Sequence, residues 1–92
     1  MIESFRHRGL RRLFEQDDRS RLPPPFVDKI RRILARLDAA GVVEDCDAPG
    51  FGLHALKGNL GGPWAVTVSR NWRVVFRFEN GNVRDVDLVD YH

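Results

Sequence analysis

Apolar and polar positions recur along this chain with two periods, and the change of period divides it in two. From Arg8 to Gln16, Leu10, Leu13 and Phe14 fall at helical spacing, and Arg8, Arg11 and Arg12 take the remaining face. A polar break, Asp17-Asp18-Arg19-Ser20, separates this segment from a stronger one. There Phe26, Val27, Ile30, Ile33, Leu34 and Leu37 make one stripe, with Asp28, Lys29, Arg31, Arg32 and Arg36 largely outside it. Pro23, Pro24 and Pro25 mark its start, because the first helical turn does not need the N–H that proline lacks. Gly41 is the expected C-cap, since glycine takes left-handed dihedrals at little cost. The pattern predicts an amphipathic helix over residues 24–40 and a loop over 41–50.

Beyond residue 50 the period falls to two. Phe51–Leu56 reads as a strand, followed by a turn-rich connection from Gly58 to Pro63. Trp64–Ser69 is rich in β-branched and aromatic residues, and Arg70-Asn71 is read as a tight turn. Trp72–Glu79 is the strongest strand, with Trp72, Val74, Phe76 and Phe78 on one face and Arg73, Val75, Arg77 and Glu79 on the other. Asn80-Gly81 signals a two-residue hairpin, because a type I′ turn needs positive φ at both central residues. Val83–Val89 closes the meander, and Ile2–Phe5 is a candidate short first strand. Helices followed by antiparallel strands predict an α+β fold, with two N-terminal helices on one face of a small sheet. The opposite face is left open and polar, and function is expected there.

Composition narrows the classes. Ninety-two residues fit a single domain spanning 1–92. Hydrophobic content is 42% and charged content 30%, ordinary for a soluble globular protein. No run approaches the ~20 apolar residues that span a membrane, and Met1–Arg6 has no apolar leader core. A single cysteine, Cys46, cannot form an intrachain disulfide, which fits a reducing cytosol. Residues 1–40 carry ten Lys/Arg against six Asp/Glu (+4) and residues 41–92 five against seven (−2), for a net +2. A basic helical half suits a polyanionic or acidic partner.

Several proton-handling and cationic side chains lie near strand ends. Asp90, Tyr91 and His92 follow the last strand directly. An antiparallel meander can bring them together with His54, Lys57, Arg70, Asn71 and Arg73 at one edge of the open face. Taken singly, each also reads as an ordinary structural or solvated residue. Together they suit phosphodiester chemistry: cations stabilise a phosphorane-like transition state while imidazole or carboxylate moves protons. Tyr91 suits stacking on an exposed RNA base. There is no GxxxxGK[ST] phosphate loop and no GxGxxG. His7, Cys46, His54 and His92 match no recognised zinc spacing. Neither cofactor nor metal is expected. Asp85 and Asp87, alternating on a strand, read as solvated charges. Acidic neighbours around Cys46 should raise its pKa and make it a poor nucleophile.

Four blocks then resemble one family. They are Ile2-Glu3-Ser4-Phe5-Arg6-His7-Arg8-Gly9-Leu10, Leu53-His54-Ala55-Leu56-Lys57-Gly58, the run from Trp64 through Ser69-Arg70-Asn71-Trp72-Arg73-Val74, and Asp90-Tyr91-His92. They resemble HigB-type toxins of bacterial toxin–antitoxin modules, within the RelE superfamily, and the resemblance spans essentially the whole chain. It implies an antiparallel sheet flanked by two N-terminal helices. It also implies a ribosome-dependent endoribonuclease that cuts messenger RNA in the ribosomal A site without metal, using the RNA's own 2′-hydroxyl. By position, His54, Asp90, Tyr91 and His92 match catalytic residues. Lys57, Asn71 and Arg73 match substrate or transition-state contacts, and Arg70 beside them joins that group. The implied partners are a helix-turn-helix (HigA-type) antitoxin and the 70S ribosome with its messenger RNA, in the cytoplasm and away from any membrane. Arg11, Arg12, Arg31, Arg32 and Arg36 on the helices would contact ribosomal RNA. Pro23-Pro24-Pro25 and the Gly-Gly-Pro before Trp64 depart from the family pattern. Two alternatives stay open: a ParE-like toxin that binds DNA gyrase without cutting, and a plain nucleic-acid-binding module.

Overall fold

The computed structural model describes residues 1–56 and 62–91. The chain begins along the edge of a sheet whose strands come later. Ile2 and Phe5 bridge in parallel to Val83 and Val86. Glu3 N–H donates to Val83 O at 2.7 Å, Val83 N–H to Met1 O at 2.9 Å, and Val86 N–H to Ser4 O at 3.1 Å. The expected first strand is therefore a pair of isolated bridges. Ile2 N–H donates to Asp38 Oδ1 at 3.0 Å. That carboxylate occupies a donor which an exposed edge would otherwise present to another chain.

The residues that follow explain the opening block physically. His7 is the N-cap of helix α1 (Arg8–Gln16), and its Nδ1 accepts from Leu10 N–H at 3.2 Å. A Cβ at Gly9 would lie 2.8 Å from His7 Cε1, so only glycine leaves room for the capping ring. Leu10 and Leu13 are buried, and Phe14 tilts against Phe5 with ring centroids 5.6 Å apart. Asp17 ends the helix in the left-handed region, and Arg31 of the next helix pairs with its carboxylate.

That second helix, α2, is Val27–Ala39, entered through a 3-10 turn at Pro24–Phe26. The sequence pattern merged the two because both share the apolar stripe. Val27, Ile30, Ile33 and Leu37 are fully buried, each contributing roughly 1.5–3 kcal/mol of transfer free energy. The C-cap is Ala40 in extended geometry, not Gly41. Asp45 explains the difference: its Oδ2 accepts from Gly41 N–H at 3.0 Å and Val42 N–H at 3.2 Å. The expected plain loop thus contains a 3-10 turn, Val43–Cys46, that buries Cys46.

Four antiparallel strands follow in the order β1 (His54–Ala55), β2 (Trp64–Thr67), β3 (Trp72–Glu79) and β4 (Asn82–Asp90). β1 is shorter than the expected Phe51–Leu56. Phe51 O still accepts from Thr67 N–H at 2.6 Å, but Gly50 and Gly52 have φ of 86° and 60°, which turns the chain out of register. β2 stops at Thr67, and the expected tight turn opens into a bend over 68–71, where Val68 and Ser69 N–H both donate to Trp72 O. Asn80 and Gly81 have φ of 53° and 78°, as the hairpin reading requires. The expected turn over 58–63 lies mostly outside the described residues.

β4 carries a bulge. Val75 pairs with Asp87 and Arg77 with Arg84, so β4 spends one extra residue there, and Asp85 sits at φ 56°. The extra residue lets Val83, Val86 and Leu88 all reach the core, which strict alternation forbids. Ser4 Oγ accepts from Asp85 N–H at 2.9 Å and holds the bulge. Asp85 and Asp87 are therefore not simple alternating partners. The core lies between the helices and the face bearing Val66, Val74, Phe76, Val83, Val86 and Leu88. The opposite face stays open.

Candidate active site

Opposed residues on antiparallel strands share a face, so the register maps the open side. One row reads His54, Ala65, Val75, Asp87, and the next Thr67, Arg73, Val89. His54 and Arg73 therefore face the same way, with Cα atoms roughly 12 Å apart from strand spacing and rise. Between them lie the fully buried Ala65 and the half-buried Val75 and Thr67.

His54 is exposed, and its Nδ1 donates to Gly52 O at 2.9 Å. A carbonyl can only accept, so Nδ1 carries the proton and Nε2 of the neutral ring is the acceptor. The glycine turn that shortens β1 thus also sets the tautomer of its histidine.

Arg73 is fixed by the bend beside it. Its Nη1 donates to Ser69 O at 2.6 Å, Trp72 O at 3.1 Å and Arg70 O at 3.3 Å. Its guanidinium carbon stands 5.7 Å from the centroid of the Tyr91 ring, within cation–π range. Tyr91 N–H donates to Asn71 O at 2.6 Å, tying the end of β4 to the same bend. Arg70 and Asn71 are exposed at the bend itself. Arg70, Asn71, Arg73 and Tyr91 therefore form one cluster, with His54 across the sheet from it.

Asp90 is placed differently. It pairs with Trp72, a residue of the helix-side face, so strand alternation points its carboxylate away from the Arg73 side. Asp90 and Tyr91 leave β4 on opposite faces at the edge where Asn71 sits. Lys57 and His92 lie outside the described residues. Among the described residues, no group of three or more His, Cys, Asp or Glu side chains is arranged to hold a metal ion. No helix among them is long and apolar enough to cross a membrane.

Cys46 is fully buried and its thiol is pushed up to about 11. Burial is the larger cause and the Asp45 carboxylate the second, so the acidic loop read from the sequence is the lesser contribution. Sequence reasoning missed the carbonyl clamp on Arg73 and the Gly52 contact of His54. Neither has a residue-type signal beyond the glycine itself, because both acceptors are backbone oxygens.

The family described as RelE-like toxin of type II toxin-antitoxin system HigB matches residues 3–92. The protein named endoribonuclease HigB of Proteus vulgaris is 40% identical over 92 residues, the full length of both chains. Toxin HigB-1 of Vibrio cholerae serotype O1 is 32% identical over 83 residues, 88% of this chain and 87% of its own.

Proposed function

The chain belongs to the family of RelE-like HigB toxins of type II toxin–antitoxin systems, and from that premise we infer that it cuts messenger RNA on the ribosome. It is an endoribonuclease toxin with a cognate antitoxin. The finer reading rests on one observation: His54, Arg73 and Tyr91 share an open sheet face in a chain related end to end to an endoribonuclease.

The reaction needs little beyond side chains. A base removes the 2′-hydroxyl proton, and the O2′–P bond forms. The P–O5′ bond breaks as an acid delivers a proton to O5′. The products are a 2′,3′-cyclic phosphate and a 5′-hydroxyl. Proton transfer is assigned to His54 and His92, with Nε2 of His54 the acceptor its Gly52 contact leaves available. The sequence also offered Asp90, but its pairing with Trp72 turns it to the other face and it is given no proton-transfer role. Arg73 and Lys57 stabilise the charge that builds on phosphorus, a role whose removal typically costs about 10²–10³ in rate. Tyr91 stacks on a base, and Arg70 and Asn71 contact the substrate from the bend.

The basic helices supply ribosome affinity. Arg8, Arg11 and Arg12, with Gln16 and the Glu15 that pairs with Arg11, line a basin of about 300 Å³ on α1. With Arg31, Arg32 and Arg36 of α2 they suit phosphate contacts with ribosomal RNA, which give affinity without sequence reading. The antitoxin is of the helix-turn-helix, HigA type, and the toxin acts in the cytoplasm where ribosomes are.

Primer extension on programmed ribosomes tests the reading, with wild type beside His54→Ala and His92→Ala. Discrete A-site cuts from wild type, and none from either variant, are expected. A folded wild type that arrests growth without cutting overturns it, and a gyrase supercoiling assay follows.

A further inference from the structure

Arg77 lies outside every residue assigned so far, yet its setting differs from that of the other arginine on its part of the sheet. It follows Arg73 and Val75 on the outward face of β3, four positions beyond Arg73. At strand rise the two Cα atoms are roughly 13 Å apart. Arg77 is exposed, and it pairs directly with Arg84 on β4. Like charges directly opposite in an antiparallel pair repel. Arg84 is compensated: its Nε is 3.6 Å from Glu3 and its Nη1 3.7 Å from Glu79. Among the described residues, no carboxylate lies within ion-pair distance of Arg77. Its hydrogen bond is from Nη1 to Gly62 O at 3.5 Å, the outer limit for such a contact.

We propose that Arg77 is a substrate-binding residue that holds a messenger RNA phosphate beyond the scissile one, extending the site along β3 from Arg73. The proposal rests on the endoribonuclease reading. Val75, half-buried between the two arginines, adds no charge to the row, so the two cations stand on one strand with an apolar residue between them, a positive track of the kind that follows a single-stranded backbone. The acidic group on this row is Asp87, opposite Val75 on β4, with its Oδ1 turned to Leu88 N–H at 2.9 Å. Its charge, one strand over, repels phosphate from the β4 side and keeps the RNA backbone on the line from Arg73 to Arg77. The Gly62 contact draws the Arg77 guanidinium toward β2, on the other side of that line.

The test compares Arg77→Ala, Arg77→Lys and Arg84→Ala with wild type in single-turnover cleavage on programmed ribosomes. Protein concentration is varied, so half-saturation and saturating rate are read separately. Losing one phosphate contact should raise the half-saturating concentration of Arg77→Ala about fivefold, with the saturating rate within about twofold. Arg77→Lys, which keeps the charge, should recover most of the affinity. Arg84→Ala should match wild type, because its charge is already compensated. In direct binding of a single-stranded oligoribonucleotide, the slope of log affinity against log salt should fall by about 0.7 for Arg77→Ala. Unchanged half-saturation for Arg77→Ala overturns the proposal while wild-type cleavage leaves the endoribonuclease reading standing. An equal loss from Arg84→Ala also overturns it, since general surface charge would then explain the effect. A wild type that does not cut overturns both.

Discussion

Replacing Arg73 separates the clamp it makes on the 68–71 bend from the charge-stabilising role proposed for it. Its Nη1 has two hydrogens shared among three carbonyls, at 2.6, 3.1 and 3.3 Å, so about two charge-assisted bonds are lost in Arg73→Ala. Their gross value is ~1.5–3 kcal/mol each, but the side chain is half exposed and water replaces part of it, leaving roughly 1–2 kcal/mol in total. The Tyr91 ring at 5.7 Å adds about 0.5 kcal/mol. A fall of ~2 kcal/mol from a stability of ~5–15 kcal/mol leaves well over 95% of the protein folded. Unfolding therefore accounts for almost none of a rate loss, whereas removing a transition-state cation costs about 10²–10³. Single-turnover cleavage on programmed ribosomes, beside a urea melt of the same preparation, reads both quantities. Arg73→Lys should lose rate as well, because a point charge does not reproduce the planar fork. A variant that melts earlier as expected but cuts within threefold of wild type would falsify the catalytic role and leave Arg73 as a clamp on the bend.

Three further outcomes follow from the fold. Asp85→Val places a β-branched residue at φ 56° and should cost ~1–2 kcal/mol, while Asp85→Gly should melt at or above wild type; equal melting of the two would refute the bulge argument. Cys46, fully buried with its thiol near 11, should react with a disulfide reagent at pH 8 at least about a hundredfold more slowly than a free cysteine; fast labelling of the folded protein would count against that burial. Asp45 is held below its ordinary 3.8, first by Val42 N–H and then by Gly41 N–H. Because that folded value is depressed, its stabilisation is present above 3.8 and lost as pH falls through the folded value. The melting gap between wild type and Asp45→Asn should stay level from about pH 7 to 5 and close in stronger acid; a gap that persists there would contradict the assignment.

What the sequence made legible follows from which forces were local. The stripe from Phe26 to Leu37 and the alternation from Trp72 to Phe78 are burial patterns. The structure buries Val27, Ile30, Ile33, Leu34, Leu37, Val74 and Phe76 where period alone puts them and leaves Phe26, Trp72 and Phe78 half-buried at the core's margin. Asn80-Gly81 is local backbone chemistry, and it also held. The bulge was written in the chain, since Val83, Val86 and Leu88 step by three and then two, but a single strand read alone conceals what that step means. The shortening of β1 came from Gly52, whose positive φ is a tertiary choice. In the candidate site, residue types were readable but directions were not. Alternation in β4 separates Asp90 from Tyr91, and this became plain only once the register with Trp72 fixed the phase. The clamp on Arg73 depends on where three carbonyls of the 68–71 bend point, and no side chain announces that.

The parallel bridges that tie Ile2 to Val83 and Phe5 to Val86 set a schedule for the protein's birth. Ser4 and Asp85 are 81 positions apart, so at ~5–20 residues per second the N-terminal segment waits roughly 4–16 s for its partner to be made. Until then Leu10, Ile33 and Leu37 lack the Val83, Val86 and Leu88 surface they bury against. A chain released short of Val83 lacks the β4 side of its core and the partners of Ile2 and Phe5. The sheet that carries Arg73 and Tyr91 on one face is incomplete until β4 has emerged from the ribosome that makes it.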